Sequence, residues 1–148
     1  MLGSDTRTLP DAALLLRHDP AEMVRLADWI DDRVASLGLA GRPAYAVRLC
    51  LEEAVGNVMM HSALPPGLPA GIAVRLHRVG EGLEIVIEDH GAPFDPLTAA
   101  PPTTAGSLAE AQVGGLGIAL MRRFARAITY RRDGTVNRLT MQFDIEAR

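Results

Sequence analysis

From Leu49 to His61, with Val47 just upstream, apolar residues recur at helical spacing: Val47, Leu51, Ala54, Val55 and Val58 form one stripe. Steps of three, four and seven residues predict a helix packed on a core. Pro65-Pro66-Gly67-Leu68-Pro69 stops that helix and makes a loop. The period then changes to that of a strand. Ile72, Val74 and Leu76 alternate with Ala73, Arg75 and His77, and after Gly80-Glu81-Gly82 the residues Leu83, Ile85 and Ile87 alternate with Glu84, Val86 and Glu88. This predicts a β-hairpin with one buried face. His77 falls on its polar face and has no second His at metal-ligand spacing, which argues against a zinc site.

Upstream, Asp11 to Arg17 reads as an edge or first strand, although its Ala and Leu residues also suit a helix. Asp19-Pro20-Ala21-Glu22 has the logic of a helix start: a cap carboxylate, Pro at the first helical position, and Glu22 placed to reach back to the cap. Met23, Leu26, Ala27, Ile30, Val34 and Leu37 then give one apolar face, and Gly38 ends the helix. Trp29, with Arg25, Asp28, Asp31, Asp32 and Arg33, reads as a solvated face, the alternative being a face that meets a protein partner. Downstream, Ala92 to Val113 is a proline-rich connection of the length of a lid. Gly114-Gly115-Leu116-Gly117 opens a further helix through Ile118, Leu120, Met121, Phe124 and Ala125. Ala127 to Arg131 and the alternating Leu139, Met141, Phe143 and Ile145 predict two strands joined through Asp133-Gly134. Adjacent strand pairs with helices between them imply an α+β fold: a two-layer α/β sandwich, its sheet mostly antiparallel and its helices on one face.

Composition narrows the class. A chain of 148 residues is most simply one domain, 1–148, with a lid at about 92–113. Its net charge of -3 is spread without a basic block, which argues against nucleic acid as a direct partner. The single Cys50 makes no internal disulfide and sits beside the apolar stripe, so it is expected to be inert and to suit a reducing compartment. No apolar run reaches membrane-spanning length and no signal pattern opens the chain, so a cytoplasmic protein without a membrane partner is expected.

Three segments carry candidate chemistry. Glu53, Asn57 and His61 fall four residues apart and form one row at the border of the buried stripe, while Glu52 turns toward solvent. Asp89 continues the parity of Leu83, Ile85 and Ile87, so its carboxylate faces the helix layer and needs a donor. Gly91 then permits close approach of a ligand. The turn Gly114 to Gly117 offers backbone N–H groups and a positive helix end to a phosphate chain.

In this order, Glu53-x-x-x-Asn57, Asp89-x-Gly91 and Gly114-Gly115-Leu116-Gly117 resemble the ATP-binding boxes of gyrase, heat-shock chaperone ATPases, mismatch-repair ATPases and sensor histidine kinases, whose fold is the Bergerat fold. The form Glu53-Ala54 through His61 and the run Gly117 to Met121 are most similar to the anti-sigma-factor serine kinases of bacterial partner-switching systems. The resemblance implies ATP and Mg2+, with Asn57 as the metal ligand, Glu53 as general base toward a serine hydroxyl and Asp89 as acceptor for the adenine amino group. It further implies that Gly91 gives room at the base, that Gly115, Leu116 and Gly117 belong to the phosphate turn, and that His61 has a supporting role. Its implied partners are an anti-anti-sigma factor of the STAS type, a sigma factor and a second copy of the chain, with Arg25 at a partner interface. Two features depart from the pattern. The lid has no Lys or Arg between Gly91 and Gly114, so a cation for the γ-phosphate would come from elsewhere, such as Arg122 or Arg123; and these 148 residues contain no phospho-accepting His box of the sensor-kinase kind, which disfavours autophosphorylation on histidine. The unusual lid keeps open the alternative of a catalytically weak ATP-binding module that controls a partner through nucleotide-dependent binding.

Overall fold

The structure, a computed structural model, describes residues 12–65, 67, 71–98 and 116–144. Strand β1 (Ala12–Arg17) leads through a 3-10 turn (Pro20–Glu22) into helix α1 (Met23–Ser36) and the long helix α2 (Gly41–His61). A hairpin of β2 (Gly71–Val79) and β3 (Gly82–Asp89) follows, then a 3-10 turn (Pro96–Thr98), helix α3 (Leu116–Phe124) and a second hairpin, β4 (Ala127–Asp133) and β5 (Val136–Asp144). The sheet runs β1-β2-β3-β5-β4 and every pairing is antiparallel. The α+β sandwich, the first strand as an edge strand and the order of elements are as the sequence predicts. The long connection holds the short turn at Pro96–Thr98, and its remainder, 99–113, lies outside the described residues.

One layer of apolar side chains joins helices to sheet. Leu26 and Ile30 of α1, and Val47, Leu51 and Val55 of α2, meet Val74 of β2, Ile85 and Ile87 of β3, Met121 of α3 and Met141 of β5. All of these are fully buried. The stripe expected on α2 is its core face, and Cys50 beside it is wholly enclosed. Burial, reinforced by the negative charge of Glu53, pushes the Cys50 thiol up to about 12, which leaves it protonated and inert. The opposite face of the sheet carries paired charges: Arg75 and Arg138 both bond to Glu88, at 2.8 and 2.6 Å, and Arg138 reaches Asp133 at 2.7 Å.

Two details around α1 differ from expectation. Glu22 does not reach back to its cap. Asp19 receives the Ala21 N–H at 2.9 Å, but the Glu22 carboxylate accepts the Arg17 N–H at 2.8 Å and the Arg25 guanidinium at 3.0 Å. The first helical turn is a 3-10 turn, so the Glu22 side chain points at the end of β1 instead. Trp29 is not on a solvated face. It is half-buried against the core, because a residue three positions from Leu26 borders the apolar stripe and a large ring covers the edge of that stripe.

Two consequences are measurable. Gly56 lies in the interior of α2 and a Cβ there would meet nothing within 4 Å. Gly56→Ala is therefore expected to raise unfolding free energy by about 1 kcal/mol in urea titration. The Arg17 N–H bond holds the Glu22 carboxyl below its usual range; burial opposes this, and Arg25 adds to the lowering. A carboxyl depressed in the folded chain stabilises it above the unfolded value, about 4.3, and loses that contribution as pH falls through the folded value. The stability margin of wild type over Glu22→Gln should thus be full at neutral pH and shrink below about pH 4; a margin constant with pH would contradict the pairing.

Candidate functional site

The C-terminal end of α2, the end of β3 and the start of β5 converge on Asp89. Strand register sets Asp89 between Ile72 of β2 and Asn137 of β5. Its carboxylate is buried at 3% exposure, on the helix-covered face that parity predicts. One oxygen, Oδ2, accepts three uncharged donors: the Ser62 hydroxyl at 2.7 Å, the Gly91 N–H at 2.8 Å and the Asn137 side-chain NH2 at 3.2 Å. Among the described residues no donor reaches Oδ1. The cluster therefore presents one fixed acceptor edge and no competing cation.

Asn137 is itself held. Its Oδ1 accepts from the Tyr130 hydroxyl and from Arg132 at 3.1 Å, and Arg132 also bonds the Gly91 carbonyl at 2.7 Å. Two donors on Oδ1 fix the amide so that its NH2 faces Asp89 and the carbonyls of Gly91 and Ala92. Burial pushes the Tyr130 phenol up, which keeps it a donor at neutral pH. Gly91 is needed for this packing: a Cβ would collide with the Ser62 hydroxyl, lie 2.6 Å from the Ser62 carbonyl oxygen and 2.9 Å from Asp89 Oδ2. The room that glycine provides is filled by Ser62, whereas the sequence suggested room for a ligand.

The row on α2 borders this cluster. Asn57 is buried, and its Nδ2 has no partner among the described residues. Glu53 is half-buried against the first turn of α3, where a Cβ on Gly117 would overlap the Glu53 carboxylate. A carboxylate at a helix N-terminus is favourably placed in the field of the backbone dipoles. His61 stacks on Phe94, with ring centroids 5.0 Å apart and an interplanar angle of 22°. Between Asn57, Asp89, Phe94, Pro96, Tyr130 and Asn137 lies a cavity of about 20 Å3, room for one water molecule.

Residues 16–143 match the histidine kinase-like ATPase domain family. The chain belongs to that family. It is 36% identical over 113 residues to the serine/threonine-protein kinase BtrW of Bordetella bronchiseptica, covering 76% of this chain and 79% of that protein. Its fold is similar to the RsbU and RsbW domains of Rv1364c from Mycobacterium tuberculosis, with TM-score 0.68 and 11% identity over 94% of this chain, which spans a third (33%) of that one. It is also similar to the histidine kinase domain of a blue-light-activated kinase from Erythrobacter litoralis, with TM-score 0.50 and 18% identity over 84% of this chain and 60% of that one.

In a histidine kinase-like ATPase the substrate is ATP, and the residues present fit it. The acceptor edge of Asp89 suits an exocyclic amine, the unpartnered Nδ2 of Asn57 suits an acceptor group on the same side, and Gly117 leaves the room at the first turn of α3 that the Glu53 carboxylate takes. Gly114 and Gly115, like the side chain of Leu116, lie outside the described residues, so of the glycine turn expected to hold phosphates Gly117 is the glycine described. Arg122 donates to the Leu97 carbonyl at 2.8 Å and ties α3 to the segment after Asp89. Arg25 sits apart from this cluster, beside Glu22 and the Leu15 carbonyl.

Sequence reasoning missed Ser62, Asn137, Tyr130 and Arg132. Asn137 had a signal: it shares the parity of Leu139, Met141 and Phe143, as Asp89 shares that of Ile87. Ser62 follows His61 directly but falls outside the four-residue row. Its role comes from capping α2 next to a strand end distant in sequence. Gly91→Ala is expected to lower stability by about 1–3 kcal/mol in urea titration, since backbone as well as side chain stands in the way of a Cβ; an unchanged midpoint would contradict this packing.

Proposed function

We propose that this chain is an ATP-dependent protein serine kinase and anti-sigma factor: a cytoplasmic, single-domain, homodimeric switch. It phosphorylates a serine of a STAS-type anti-anti-sigma partner and sequesters a sigma factor. The observation that carries the reading is Glu53, held against the N-terminal turn of α3 one helical turn before Asn57, which itself lines the Asp89 cavity. Kinship with a serine/threonine-protein kinase supports it.

In the proposed reaction Asp89 accepts the adenine amino group of ATP on its free oxygen. Asn57 would hold Mg2+ through its amide oxygen, and the ion would supply positive charge to the phosphates. Backbone N–H groups of Gly115, Leu116 and Gly117 support the phosphates. Glu53 takes the proton of the serine hydroxyl as its oxygen attacks the γ-phosphorus, and ADP leaves. His61 packs beside the base site rather than reacting. The base is larger than the cavity, so the lining around Asp89 must open to admit it. Arg25, on the exposed side of α1, belongs to the partner surface.

A second reading, nucleotide-dependent binding without phosphoryl transfer, draws on two observations: residues 92–113 contain no Lys or Arg, and Arg122 is engaged with Leu97. Labelled ATP, Mg2+ and the anti-anti-sigma partner decide between them. Phosphoserine should form on the partner with wild type and not with Glu53→Ala, while Asn57→Ala should weaken Mg2+-dependent ATP binding. ATP at 100 times its dissociation constant should stabilise the folded chain by about 2.7 kcal/mol. Stabilisation without any transfer supports the binding module; neither effect refutes both readings.

A further inference from the structure

The turn between β1 and α1 reaches Ser62, which lines the Asp89 cavity, through His18. His18 Nε2 lies 3.0 Å from the backbone carbonyl oxygen of Ser62. A carbonyl only accepts, so Nε2 carries the hydrogen and His18 is the donor. Ser62 is 2% exposed, and water has little access to replace that donor. Ser62 caps α2 with its N–H on the Val58 carbonyl at 2.9 Å, and its hydroxyl holds Asp89. Its carbonyl also forms one wall against which Gly91 packs.

His18 is itself fixed from both sides. Before it, the Arg17 N–H bonds the buried Glu22 carboxylate at 2.8 Å; after it, the Asp19 N–H bonds the Arg17 carbonyl at 2.9 Å and the Asp19 side chain caps Ala21. The turn cannot shift without moving His18, and His18 cannot move without releasing the Ser62 carbonyl. We propose that His18 is a positioning residue of the base pocket, setting the Ser62–Asp89–Gly91 cluster from the N-terminal turn. This rests on the reading of Asp89 as the ATP base site; the contact of His18 with Ser62 does not.

The experiment compares His18→Ala and His18→Gln, whose side-chain NH2 reaches about as far as Nε2. Amide exchange followed by NMR without nucleotide reads the Gly91 N–H, which bonds Asp89, against Ile85 in the middle of β3. With His18→Ala, Gly91 should exchange about five-fold faster, the equivalent of one hydrogen bond, with Ile85 unchanged. The ATP dissociation constant should rise by about the same factor with kcat at saturation unaltered. His18→Gln should restore both. Unchanged Gly91 exchange in His18→Ala, or equal acceleration of Gly91 and Ile85 in both variants, overturns the positioning role. Faster Gly91 exchange with unaltered ATP affinity overturns its link to the base. If wild type binds no ATP the kinase reading fails, and the exchange comparison still decides whether His18 sets the cluster.

Discussion

The buried carboxylate of Asp89 is the constraint on which the site depends. Placed in an apolar layer between Ile87 and the helices, it requires donors, and the chain supplies three neutral ones from three different elements on a single oxygen. Neutral donors matter: a guanidinium there would occupy the carboxylate and compete with any ligand amine. Arg132 is instead one step removed, orienting Asn137 and the Gly91 carbonyl. The glycine, the serine and the asparagine are consequences of meeting that one charge without a cation.

Helix α2 joins this cluster to the row of Glu53, Asn57 and His61. The packing of Leu51, Ala54, Val55 and Val58 on the sheet sets its rotation, and that rotation brings Asn57 into the buried layer and Glu53 to the first turn of α3. Stability and chemistry share one set of contacts. Cys50 lies on the same helix and is made unreactive by the same burial and by the Glu53 charge. The charged face of the sheet, tied by Arg75, Glu88, Arg138 and Asp133, lets this single layer of helices suffice, because its other side meets water.

Much of this was legible from spacing. Period-two alternation found both hairpins, parity put Asp89 inside, and Glu53-x-x-x-Asn57, Asp89-x-Gly91 and the glycine turn in order identified the family. Where the reading went astray, two local signals competed. Glu22 fits a capping box by spacing, yet the Arg17 N–H at the end of β1 is the better-placed donor. Trp29 sits among charges in sequence, yet helical rotation lays it on the core edge.

Periodicity by itself determined the elements, their order, the buried face of each and the row of Glu53, Asn57 and His61, because each depends on residues a few positions apart. Tertiary structure alone decided which groups answer Asp89. Asn137 is 48 residues from it and Ser62 is 27, and His18 meets Ser62 across 44. Such partners are chosen by strand register and by where a helix ends against a sheet. A side chain's hydrogen-bond partner is set by direction and distance in space, to which local pattern is blind.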